Sequence, residues 1–130
     1  MMRSMAETVL VRYIVHDVDA AIAFYVDNLG FEVVMHPAET FAMLGRGPLR
    51  LALSAPSGRG GGGQAMPDGR VPEPGGWNRI SLTVDDIEAD VARLTEAGVV
   101  FRNTIVEGVG GKQVLVDDPS GNPVELFQYV

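Results

Sequence analysis

The chain has no cysteine, which excludes disulfides, thiolate nucleophiles and zinc sites with sulfur ligands. No apolar run approaches the roughly 18 residues of a membrane-crossing helix. Positive charge is scarce: 10 Lys and Arg against 17 Asp and Glu leave a net −7 and a pI near 4.6. Nucleic acids and anionic membranes demand basic patches, so neither is expected as a partner. Only two histidines are present, His16 and His36, and both read as solvated loop residues rather than ligands. The opening Met1-Met2-Arg3-Ser4-Met5-Ala6-Glu7 leads into a strand, not a signal-peptide core, so a cytoplasmic protein is expected.

What is present is a repeat. Val15-His16-Asp17-Val18-Asp19-Ala20-Ala21-Ile22-Ala23 and Val84-Asp85-Asp86-Ile87-Glu88-Ala89-Asp90-Val91-Ala92 align at an offset of 69 residues, matching Val15/Val84, Asp17/Asp86, Ala20/Ala89, Ile22/Val91 and Ala23/Ala92. One missing residue then sets Gly30 opposite Gly98. A chain of 130 residues suits one compact domain, so two copies of one unit must share it, with any site expected between equivalent strands.

Each copy reads as strand, helix, then three strands. Val9 to Val15 is β-branched and apolar; Asp17 can cap a helix whose Val18, Ile22, Tyr25 and Leu29 fall at helical spacing; Gly30 suits a left-handed C-terminal cap. Phe31 to Met35, Phe41 to Leu44 and Leu49 to Ser54 complete the first copy. Arg79 to Val84, a helix capped by Asp86 with Ile87, Val91 and Leu94 buried, then Val99 to Arg102, Lys112 to Val116 and Val124 to Val130 form the second. Asp118-Pro119-Ser120-Gly121-Asn122-Pro123 is a dense turn signal. The division expected is module one at about 8–54, a Gly/Pro-rich linker at about 55–76, and module two at about 77–130, within a single 1–130 domain. The linker leaves nothing to pack, and flexible tether or ordered lid are both open readings. Its glycine run is no phosphate loop, since no Lys-Ser/Thr follows.

Alternation along the strands sorts the side chains. Ile80, Leu82 and Val84 must cover the second helix, which turns Arg79, Ser81 and Thr83 to the opposite, concave face. Glu125, Phe127 and Tyr129 share one face of the last strand, and Leu10, Arg12 and Ile14 are the repeat equivalents of Arg79, Ser81 and Thr83. These nine residues and Trp77 form the expected ligand-binding set. Trp77 either stacks on a planar ligand or anchors its strand. Glu125 either reaches water at a sheet edge or has a partner, because an unpartnered buried carboxylate is costly.

The stretches Val15-His16-Asp17 with Ala23-Phe24-Tyr25 and Leu29-Gly30-Phe31, Val84-Asp85-Asp86 with its helix, and Asp118-Pro119-Ser120-Gly121-Asn122-Pro123-Val124-Glu125-Leu126 resemble the vicinal oxygen chelate superfamily. That superfamily comprises glyoxalases, extradiol dioxygenases, fosfomycin-resistance enzymes and bleomycin-resistance proteins. The resemblance implies an α+β fold in which two βαβββ modules form a half-open mixed barrel around a cavity. It also implies a homodimer. Enzymes of the family place a divalent metal there, with ligands from the first and last strand of each module. The motif spacing puts Leu10 and Arg79 at the first-strand ligand positions, and module one's last strand, near Leu49 to Leu53, holds no ligating side chain. Only Glu125 matches. No metal and no cofactor are therefore expected, and Arg79 is expected to take the ion's place by contacting Glu125 directly. The reading that follows is a metal-free binder of a small organic ligand, similar to the bleomycin-resistance branch and suited to drug or metabolite sequestration. The alternative is an enzyme: a metal-independent isomerase or hydrolase with Glu125 as base, or a metal-dependent lyase or dioxygenase.

Overall fold

The computed structural model describes residues 7–56 and 61–130. The chain divides into two compact units, Met1–Pro74 and Gly75–Val130. Both are βαβββ-type modules, so the α+β class that the resemblance implies is the observed one.

Module one runs β1 (Val9–Ile14), α1 (Val18–Leu29), β2 (Glu32–Ala38), β3 (Phe41–Arg46) and β4 (Leu49–Ser54). Its sheet has the order β1-β4-β3-β2, with β1 parallel to β4 and the remaining pairs antiparallel. The Asp17 carboxylate accepts from Ala20 N–H at 3.1 Å and Gly30 closes α1 at φ +73°, both ends as the sequence dictates. The core face collects Tyr13, Phe24, Tyr25, Leu29, Phe31, Leu44, Leu51 and Leu53. Tyr25 is wholly enclosed and meets Phe24 and Phe31 edge-on at 5.1 and 5.4 Å.

Module two runs β5 (Ile80–Thr83), α2 (Ile87–Glu96), β6 (Val100–Phe101), β7 (Val106–Glu107), β8 (Gly111–Asp117) and β9 (Pro123–Tyr129). Its sheet order is β5-β9-β8-β6, with β5 parallel to β9 and β7 pairing on β8. This repeats the first module's topology with one short strand, β7, that sequence patterning did not anticipate. Asp86 caps α2 through Ala89 N–H at 3.1 Å, and the Gln128 side chain accepts from Ile87 N–H at 2.8 Å, tying the helix start to β9. Gly98 turns the chain at φ +80°. Among the described residues no helix is long and apolar enough to cross a membrane.

Two expectations are corrected. His36 is not a loop residue: β2 extends through it and Pro37 to Ala38, and its ring nitrogen lies 3.7 Å from Asp19 on α1. β2 is an edge strand with a bulge, and there a proline costs no ladder bond. Residues 57–60 lie outside the described residues; of the rest of the 55–76 stretch, Gly62 and Gly63 pack while residues 64–71 are exposed. A side-chain carbon at Gly62 would overlap the Arg12 guanidinium and fall 2.7 Å from Ser54 Oγ; one at Gly63 would overlap the Ala55 carbonyl. These glycines bring backbone close to β1 and β4.

Candidate functional site

On β5, Ile80 and Leu82 are buried while Ser81 and Thr83 are exposed, so strand alternation sets the polar pair on the face away from α2. Pairing with β9 is in register: Ser81 lies beside Glu125 and Thr83 beside Phe127. The parallel register therefore brings Arg79, Ser81 and Glu125 together. Arg79 Nε and Nη2 donate to Glu125 Oε1 at 3.2 and 2.9 Å, and Ser81 Oγ donates to Oε2 at 2.8 Å. Glu125 is 15% exposed at its side chain, Arg79 29%. The contact expected from the family positions is present, and the half-buried carboxylate has both oxygens satisfied by charge-assisted bonds. Phe127 and Tyr129 continue this face as an aromatic pair, ring centroids 4.8 Å apart, with Tyr129 largely exposed.

Trp77 is exposed, and the Arg102 guanidinium stands 4.6 Å above its ring. Its carbonyl accepts from Arg79 Nη1 at 3.3 Å. Arg102 was not among the expected residues, yet it ties this corner together. It donates to Asp117 at 2.6 Å, to Gly76 O at 2.8 Å and to Gly121 O at 2.9 Å. Its partners lie 15 to 26 residues away in sequence, so no local pattern reveals it. The Asp118–Asn122 turn is the other anchor. The buried Asp118 carboxylate accepts from Ser120 N–H, Asn122 N–H and Asn122 Nδ2, and Asn122 Oδ1 accepts from Gly75 N–H at 2.7 Å. Leu115 and Gln113 on β8 flank Glu125 and Phe127 in register and were also missed.

In module one, register places Leu10 beside Arg50, Arg12 beside Ala52 and Ile14 beside Ser54. Ala52 is thus the counterpart of Glu125. Leu10 is exposed and Ile14 half-buried. Arg12 donates through Nη1 to Ser54 Oγ at 2.7 Å, with the Gly62 backbone against it. The four strand positions where the family's enzymes carry metal ligands hold Leu10, Ala52, Arg79 and Glu125. Two apolar side chains and a cation beside one committed carboxylate do not fit a divalent ion, and no step is derived through one. Among the described residues no group of three or more His, Asp and Glu side chains is placed to hold one.

A duplicated βαβββ unit with parallel first and last strands, and polar side chains gathered on the face away from its helix, defines a small class of proteins. Residues 8–126 match the family model of the Glyoxalase/Bleomycin resistance protein/Dioxygenase superfamily, and the chain belongs to that superfamily. Among solved structures, it is similar to a member of this superfamily from Sphaerobacter thermophilus DSM 20745, at 32% identity, covering 95% of this chain and 98% of that one, with a TM-score of 0.73. TnmS3, an antibiotic binding protein from Streptomyces sp. CB03234, is 26% identical, with coverage of 99% and 100% and a TM-score of 0.73. Lactoylglutathione lyase from Agrobacterium tumefaciens is 22% identical, with coverage of 97% and 96% and a TM-score of 0.72, a likeness of fold alone. No curated protein sequence matches the chain.

Proposed function

We propose that this protein binds a small organic ligand without a metal, as a sequestering member of its superfamily, and is cytoplasmic. The carrying observation is the Arg79–Glu125–Ser81 cluster, where a guanidinium engages the one carboxylate at a family ligand position. Similarity to an antibiotic binding protein over nearly the whole of both chains supports the same reading. The ligand-facing set is Arg79, Ser81, Thr83, Glu125, Phe127, Tyr129 and Trp77 in module two, and Leu10, Arg12 and Ile14 in module one. A homodimer belongs to the proposal, since β1 and the far end of β2 leave Val9, Leu10 and Met35 exposed.

The alternative of Glu125 as a catalytic base is disfavoured by the same bonds. Both its oxygens are already acceptors for Arg79 and Ser81, so a substrate proton must compete with a cation.

A thermal-shift screen with aromatic antibiotics tests the proposal. A ligand at about 100 times its Kd adds about 2.7 kcal/mol to stability. The expected hit stabilises the protein equally with and without EDTA, and it changes the fluorescence of Trp77, the only tryptophan. Stabilisation or turnover that EDTA abolishes and Mn2+ or Zn2+ restores would overturn it. Turnover lost in Glu125→Gln with binding retained would favour the enzyme.

A further inference from the structure

Module one carries a cleft of about 280 Å3 lined by Glu32, Val33, Val34, Gly45, Gly47 and Arg50. None of these belongs to the expected ligand set. The strand registers nevertheless put Leu10, Arg50, Gly45 and Glu32 in one row across the sheet. Arg50 and Glu32 are separated by a single strand, hence by about 10 Å between backbones. Gly45 is the floor between them. A side-chain carbon there would stand 3.0 Å from Arg50 Nη1 and 3.1 Å from Val34 Cγ2, so any larger residue would crowd the cleft floor.

The arginine is oriented before any ligand arrives. Its Nη1 donates to the carbonyls of Gly47 and Leu49 at 2.9 and 3.1 Å, inside the β3–β4 hairpin. Those bonds use one nitrogen and leave the Nε–Nη2 edge, which is the edge that grips a carboxylate with two parallel bonds. Arg50 and Glu32 form no ion pair with each other or with any other described residue. One cleft thus offers an uncommitted forked donor and an uncommitted carboxylate, set apart by a bare floor.

We infer that this cleft is a binding site for a small zwitterion: a carboxylate held by Arg50 with an ammonium or N–H donor directed to Glu32. A simple anion gains Arg50 but meets Glu32, and a simple cation meets the reverse. The site lies wholly within module one and uses neither Arg79 nor Glu125, so it stands or falls apart from the metal-free reading.

The test is an amide-resolved NMR titration of the full chain with glycylglycine, with acetate and with methylammonium. Glycylglycine is expected to move the amide signals of Val33, Val34, Gly45 and Gly47 and to saturate in the millimolar range, with acetate and methylammonium each about tenfold weaker. Arg50→Gln should weaken glycylglycine binding by about tenfold or more, and Arg50→Lys, keeping the charge without the fork, should fall between. Glu32→Gln should bring acetate level with glycylglycine. The inference is overturned if Arg50→Gln titrates like the parent, if acetate matches glycylglycine in the parent, or if no probe moves these amides.

Discussion

The two modules share a backbone plan and differ in what their first and last strands carry. In module two, β5 and β9 present Arg79, Ser81 and Glu125, three side chains that satisfy one another. At the same register in module one stand Leu10, Arg12 and Ala52, and the remaining polar pair, Arg12 and Ser54, is backed by the Gly62 main chain. Both copies share the aspartate N-caps and the sheet order. They share little of the face away from the helices. Backbone topology is constrained by core packing and capping, which both copies need. The other sheet face is free to diverge once one copy supplies the polar cluster.

The sharpest way to break this comparison is to install the carboxylate in module one. Ala52 is fully buried, and its neighbour Arg12 is committed to Ser54. Ala52→Glu is expected to cost about 4 kcal/mol in chemical denaturation, from overpacking and an unpaired buried charge. A neutral result would mean Arg12 can turn to pair it, making the two faces interchangeable. Next comes Arg79→Leu, which strands the half-buried Glu125 and should cost about 2 kcal/mol, while the double Arg79→Leu/Glu125→Leu change recovers most of it. Equal losses in the single and double variants would show that the pair is not a unit.

Gly62→Val should cost about 1–2 kcal/mol by forcing the main chain off Arg12 and Ser54. Ala65→Val, on the exposed stretch beyond, should leave the unfolding midpoint unchanged. The smallest effect compares the helix starts. Asp19 and Glu88 are repeat equivalents; the first approaches His36 at 3.7 Å, and the second bonds Lys112 at 2.7 Å. The Lys112 hydrogen bond holds Glu88 below its ordinary 4.5, and Glu88 raises Lys112 above 10.5. Glu88 thus adds stability above pH 4.5 that is lost as pH falls through its lowered value. Lys112 adds stability below pH 10.5 that is lost as pH rises through its raised value. Glu88→Gln should soften the acid limb of a stability–pH curve slightly, and high salt should erase the difference from the parent.

Much of this architecture is legible in the sequence by itself. Asp17, Asp86, Gly30 and Gly98 mark helix ends because capping is local chemistry, and period-two alternation sorts Ser81 and Thr83 from Ile80 and Leu82 because a strand allows nothing else. The family resemblance, through its ligand positions, set Arg79 against Glu125. What only the tertiary structure decided lies in contacts between distant segments. Arg102 reaches Trp77, Asp117 and Gly121; Gly62 sits on Arg12; Arg50, Gly45 and Glu32 line up across three strands. His36 entered a strand because an edge position forgave Pro37. Such placements depend on register and on which chain crosses which face, and those are settled by the packing of the whole module rather than by any window of residues.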